Sequence, residues 1–251
     1  VNDAQVQLAF GAATDVGRVR QVNEDAYLVA PPVFVVADGM GGHDGGDVAS
    51  RTVVEELEAL GGSTHDAASG AAAVREALDR AQERVAAWSR EHGGGRGRAS
   101  YAGTTAVLAL LVRGDDGPAW LVANLGDSRA YRLLDDRLEQ VSVDHSLVQE
   151  LVDAGTITPE QAAVHPERNV VTRAVGGTER GEVDFFLLPL PAGRLLLCSD
   201  GVNGMLDHAT LQEVVAAVAD PTDCAERVVA AAVEAGGEDN ATAVVVDTTT
   251  A

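Results

Sequence analysis

The chain has 251 residues, 46% of them hydrophobic, and a formal net charge of −21, with all 18 basic residues arginine. That length can bury one large core, while so acidic a surface repels nucleic acid and anionic membranes. The sequence contains no run of about 18 uncharged apolar residues and no basic region leading into an apolar segment at its start, so neither a membrane span nor a secretory signal is expected.

Residues 5–13 alternate mildly and predict an opening strand, and the bounded apolar run at 33–37 predicts a buried one. The glycine-rich stretch 41–46 reads as a turn, followed by a helix through Leu60. Val74, Leu78, Ala81, Val85 and Trp88 recur at helical spacing, with Arg75, Glu76, Asp79, Arg80 and Glu83 filling the other face. Gly93 to Ala102 is rich in glycine and arginine and reads either as a loop whose arginines recruit phosphate or as a plain surface linker. Strands are predicted at 104–112, 119–125 and 129–134, with a weaker one at 137–141 and turns at Asp115-Asp116-Gly117 and Gly126-Asp127. Short helices are predicted at 145–153 and 159–163.

Residues 164–182 lack periodicity and predict a mobile flap beside a site. Residues 183–189 and 194–199 predict a hairpin, 207–219 and 222–235 two helices, and 241–247 a closing strand. This order does not repeat as βαβ, so one α+β domain spanning 1–251, with mostly antiparallel sheets covered by helices, is expected. Cys198 lies inside the run Arg194-Leu-Leu-Leu-Cys-Ser199 and reads as a core filler. It and Cys224 have no zinc-site spacing and fit a reducing compartment, so a cytoplasmic location is expected.

Acidic residues punctuate the apolar runs. Asp38-Gly39 follows one, Asp200-Gly201 another, and Asp239-Asn240 precedes a third. Asn23-Glu24-Asp25 and Asp127 add further acids. Carboxylates at strand ends are rigidly held, and several converging there can bind hard divalent cations. The pattern points to a two-metal hydrolase acting on a phosphate ester, with Asp38 as the bridge and the Gly39 carbonyl as an oxygen ligand.

Arg20-Gln-Val-Asn-Glu-Asp25, Val36-Ala-Asp-Gly-Met-Gly-Gly-His43, Gly103-Thr-Thr105, Asn124-Leu-Gly-Asp-Ser-Arg129, Ser199-Asp-Gly201 and Glu238-Asp-Asn240 occur in that order. Together they resemble the metal-dependent serine/threonine protein phosphatases, the PP2C or PPM family, and most of all its compact bacterial branch. The resemblance runs from about residue 14 to residue 246. It implies a four-layer α-β-β-α sandwich with two central antiparallel sheets flanked by helices. It also implies Mn2+ or Mg2+, and hydrolysis of phosphoserine and phosphothreonine in proteins by direct attack of a metal-bound water. By motif position Asp38 bridges two core ions, Gly39 adds its carbonyl to the second, Asp200 and Asp239 hold the first, and Glu24 approaches the second through water. A third ion would use Asp127 with Asp200. The partners implied are phosphorylated proteins, substrates of bacterial serine/threonine kinases, met by a monomer.

Arg20 matches the family arginine that grips phosphate, and a guanidinium suits two charge-assisted bonds to one phosphate group. Arg18 and Arg129 are alternatives, with Arg129 better suited to pinning a loop. His43 could shuttle a proton to the leaving oxygen, or equally be a histidine that supports a ligand or a solvent-exposed loop residue. Met40, however, stands where the eukaryotic branch has its histidine, so that role does not transfer by position. Asp144-His145-Ser146 looks like a triad fragment, but adjacent residues do not supply three converging groups; the stretch resembles the segment before the family's flap. Val202-Asn203 departs from the leucine-threonine of many bacterial relatives. Two other readings stand beside the protein phosphatase: a catalytically weak binding module on the same fold, and a metallohydrolase of small phosphoesters.

Overall fold

The computed structural model describes residues 6–41, 45–92, 102–176 and 181–250. Among them the chain forms β1 (Val6–Asp15), β2 (Ala26–Ala30), β3 (Val33–Ala37), the short β4 (Gly39–Met40), α1 (Gly46–Glu58) and α2 (Ala67–His92). Then come β5 (Gly103–Thr104), β6 (Ala106–Gly114), β7 (Gly117–Leu125), β8 (Arg129–Leu134), β9 (Arg137–Gln140), α3 (Leu147–Asp153) and α4 (Pro159–Ala163). The last part comprises β10 (Asp184–Pro189), β11 (Arg194–Cys198), α5 (Asp200–Asn203), α6 (His208–Ala217), α7 (Pro221–Ala235) and β12 (Ala241–Thr250). Among the described residues the strands build two five-stranded sheets, ordered β1-β12-β11-β8-β9 and β10-β7-β6-β3-β2, while β4 and β5 pair separately. Every strand pair in them is antiparallel.

β3 and the Leu195–Cys198 stretch of β11 are apolar without a break because both of their faces are buried. In β3, Val33, Val35 and Ala37 face α1 and α2, whereas Phe34 and Val36 enter the space between the sheets. In β11, Leu196 and Cys198 face α6 and α7, whereas Leu195 and Leu197 point into that shared space. There Phe34 meets Trp120 edge-on with ring centroids 5.8 Å apart. Cys198 is wholly buried, and burial pushes its thiol up to about 12, which suits the expected filler rather than a nucleophile. The result is helix, sheet, sheet, helix, as expected.

The α2 stripe holds: Val74, Leu78, Ala81 and Val85 are buried, joined by Gly70 and Ala77. Helix starts are chemically marked. Ser146 caps α3, Thr158 forms a capping box on α4, and Asp220 followed by Pro221 opens α7.

Three features differ from expectation. Residues 26–30 form β2, where no strand is predicted, and Asp200 opens the short α5 rather than ending a bare strand. The hairpin expected from 183–189 and 194–199 does not form. β10 pairs with β7, whereas β11 lies between β12 and β8 in the other sheet. The intervening residues cross between the sheets and bury Ala192 in the core they share. Two apolar runs around a short proline-glycine turn read locally as a hairpin; the choice of partner strand is made by distant residues.

Candidate active site

The registers gather the acids at one end of the sandwich. Ala26 lies opposite Ala37, so Glu24 and Asp25, just before β2, sit beside Asp38, just after β3. Ala243 lies opposite Cys198, so Asp239 and Asn240, before β12, sit beside Asp200, after β11. Asp127 lies where the chain leaves β7 in one sheet for β8 in the other. That crossing places it between the two groups.

Electrostatics shows the convergence. Asp38 is held well above the usual carboxylate range, first by desolvation and then by Asp200, Asp25 and Asp127, and its carboxyl is in hydrogen-bonding contact with that of Asp200. Asp200 is raised as well, by desolvation and by Asp239, against the pull of its contact with Asp38. Asp127 is 8% exposed, and burial followed by Asp200 and Asp144 pushes it up to about 7. Burial also lifts Asp25 to about 7, although hydroxyls of Thr242 and Ser199 donate to it at 2.6 and 2.8 Å. Like charges at this density cannot all ionise unaided.

An all-oxygen, carboxylate-rich donor set of this kind fits Mg2+ or Mn2+. Gly46 supports the fit, since a methyl there would come within 2.8 Å of Glu24 Oε1. Among the described residues, however, no three His, Cys, Asp or Glu side chains close on one point at ligand distance. Asp38 and Asp200 touch each other, while Asp239 turns to a cation of the chain itself. Arg20 Nη2 donates to Asp239 Oδ2 at 2.6 Å, with the arginine side chain 54% exposed. This bond, with Glu24 and Asp200 nearby, raises the guanidinium pKa. Glu24 is raised by burial and then by Asp47.

Asp38 is pinned through its backbone. Its N–H donates to Thr105 Oγ1 at 3.0 Å, and its carbonyl accepts from Thr104 Oγ1 at 2.8 Å and from the Thr105 N–H at 2.9 Å. Gly39 continues into β4 opposite Thr104, and a side chain at Gly39 would collide with the carbonyls of Glu24 and Gly46. The structure therefore brings together Arg20, Glu24, Asp38, Gly39, Asp127, Asp200 and Asp239. His43 lies outside the described residues, as do 177–180 of the expected flap.

Asp25, Thr104, Thr105 and Asn240 lie inside the motifs quoted above, but the sequence assigned them no part in the site; their contacts run to residues far away in sequence. Arg129 is committed elsewhere: it donates to Asp144 at 2.7, 2.9 and 3.0 Å and to the Tyr131 hydroxyl at 3.1 Å, which suits the loop-pinning expectation. Ser146 serves only as a helix cap, and His145 Nε2 turns to Asp184 at 3.1 Å, so no triad exists at 144–146. A cleft of about 600 Å3 opens beside Asp127 and Asp200, walled by α3, α4 and the α5 turn.

Known proteins share this arrangement of sequence and fold. The protein phosphatase 2C family model matches residues 18–234. The serine/threonine phosphatase stp of Listeria innocua serovar 6a is 36% identical over 240 residues, covering 93% of each chain. The crystal structure of the Mycobacterium tuberculosis serine/threonine phosphatase PstP/Ppp has a TM-score of 0.84 at 34% identity, covering 96% of this chain and 98% of that one. The PstP catalytic domain solved in complex with 2 manganese ions has a TM-score of 0.79 at 34% identity, covering 97% and 99%. With the family model matching residues 18–234 and relatives of 34–36% identity covering more than nine-tenths of the chain, the chain belongs to the protein phosphatase 2C family, in its bacterial branch.

Proposed function

We propose that this chain is a protein serine/threonine phosphatase that hydrolyses phosphoserine and phosphothreonine with divalent metal ions. The observation that carries this reading is the meeting of Asp38, Asp200 and Asp127 at one sheet end, with Arg20 held on Asp239 beside them. Asp38, Asp200 and Asp239 would hold one ion, and Asp38 with the Gly39 carbonyl and, through water, Glu24 would hold the other. Asp127 with Asp200 would hold a third. The ions, Mn2+ or Mg2+, would supply an activated water and offset charge on the phosphate.

The chain's own residues do the rest. Arg20 grips phosphate oxygens with its fork of N–H donors. Thr104 and Thr105 hold the Asp38 backbone still, and the cleft beside α5 receives the peptide. In this reading residues 1–251 form one domain, 164–182 act as a flap, and the protein is a cytoplasmic monomer acting on substrates of bacterial serine/threonine kinases. The PstP structure in complex with 2 manganese ions supports the metal assignment.

The test is a panel of phosphoserine and phosphothreonine peptides set against nucleotides and sugar phosphates, with Mn2+, with Mg2+ and after chelation. Peptide turnover that requires a divalent ion is expected. A preference for nucleotides or sugar phosphates would favour a small-molecule phosphoesterase, and full activity after chelation would overturn the metal assignment.

A further inference from the structure

Asn240 is 5% exposed, and both ends of its side-chain amide are engaged. The Nδ2 group donates to the carbonyls of Val16 and Val22, both at 3.0 Å, and Oδ1 accepts from the Glu24 N–H at 2.8 Å. Two carbonyls can only accept and a backbone N–H can only donate, so the orientation of the amide is fixed by chemistry. The five residues 17–21 therefore form a loop whose two ends are stapled by one side chain. Arg20 stands on that loop.

The loop has little else to hold it. Val19 and Val22 are 67% and 59% exposed, so it gains almost no apolar packing. Apart from the Gly17 N–H, which donates to Asp15 Oδ1 at 2.8 Å, its other ties run to the same short segment. The Arg18 N–H donates to the Gly237 carbonyl at 2.7 Å, and Gly17 adopts φ 77° where a side chain would collide with the Asp239 carbonyl. Arg20 itself reaches back to Asp239. The segment 237–240 thus carries Asp239 and also locates the arginine.

We propose that Asn240 is a positioning residue for Arg20: its two donated hydrogen bonds set where the guanidinium stands and so determine affinity for the substrate phosphate. The inference rests on the phosphatase reading of the site and deepens it. A cation on an untethered loop must be ordered each time it binds, which weakens affinity, and a small displacement of a gripping group is felt strongly.

The informative substitution is Asn240→Asp. It preserves shape and the acceptor for Glu24, but it turns both donors into an oxygen facing two carbonyl oxygens. The measurements, at saturating Mn2+, are KM and kcat for a phosphopeptide and affinity for inorganic phosphate by calorimetry, in the native and Arg20→Ala backgrounds. We expect KM to rise about tenfold with a smaller change in kcat, and phosphate affinity to fall in parallel. Once Arg20 is alanine, Asn240→Asp should add nothing further to either quantity. An equal effect in both backgrounds, or an unchanged KM in the folded variant, would overturn the proposal.

Hydrogen exchange on the unaltered protein tests the staple even if the variant does not fold. The Glu24 amide should exchange as slowly as the β2 amides, and exchange at open-loop rates would overturn the proposal by itself. That result is independent of activity, so failure of the staple is distinguishable from failure of the phosphatase reading, which would appear as a native protein that hydrolyses no phosphopeptide.

Discussion

Arg20 and Asp239, 219 positions apart in sequence, are joined by a 2.6 Å charge-assisted hydrogen bond at the mouth of the acid cluster. The pair sets the cation proposed to grip phosphate beside a carboxylate proposed to hold metal. Both side chains are partly exposed, so the pair adds little to stability, about 0–1 kcal/mol for such bridges.

Replacing Arg20 by alanine should therefore leave the melting temperature almost unchanged while raising KM for a phosphopeptide by about tenfold or more, with a smaller loss in kcat. Arg20→Lys should recover only part of the affinity, because an ammonium keeps the charge and loses the planar fork. Near-normal KM with a collapsed kcat would place Arg20 in transition-state stabilisation instead. No change in either would reduce it to a surface bridge.

Asp38→Asn removes one carboxylate from a crowd in which Asp200, Asp25 and Asp127 all resist its ionisation. In chelated protein at neutral pH this relief should raise the melting temperature by about 2–4 °C, the equivalent of roughly 1 kcal/mol in a chain of this size. Turnover should fall by about a hundredfold or more, as Asp38 is the proposed bridge between two ions. Calorimetric scans with and without Mn2+ would read both effects. A crystal structure of the variant with both core ions at full occupancy would remove the bridging role.

Asp127→Ala should spare the two core ions and abolish a weaker third one. The turn itself should survive, because the Gly126 carbonyl accepts from Asn124 Nδ2 at 3.0 Å and from the His145 N–H at 2.9 Å without help from the carboxylate. Manganese titration by calorimetry, paired with peptide hydrolysis, checks this. Equal ion counts and equal turnover in the two proteins would reject a third site at Asp127.

Glu56 tests the packing of α1 on α2 far from the site. Arg80 Nε and Arg84 Nη1 donate to it at 2.7 and 2.8 Å, and these bonds hold its pKa below the usual glutamate range. A depressed carboxylate pKa contributes stability above its unfolded value and loses it as pH falls through the folded one. Glu56→Gln should therefore lower stability by up to about 1 kcal/mol at neutral pH, with the deficit shrinking in acid below that depressed pKa. Denaturation at neutral and acidic pH would show the convergence, and a deficit unchanged in acid would assign the effect to packing.

The residues of β3, β11 and β12 announced themselves as continuous apolar runs, because strands buried on both faces need apolar side chains at every position. The α2 stripe was equally legible, since helical spacing is a local property. Asp38, Asp200 and Asp239 stood out because each interrupts or borders such a run. Tertiary structure decided what local pattern leaves free. Apolar alternation does not say which strand will be the neighbour, so β10 and β11 read as a hairpin and proved to belong to different sheets. Nothing near Thr104 or Thr105 in sequence reveals that they pin Asp38, nor does anything near Asn240 reveal that its amide closes a loop beginning at Gly17. Those roles exist only once antiparallel registers bring distant strand ends together. Hydrogen bonds across more than 200 residues are set by the free energy of the whole fold, which no local window contains.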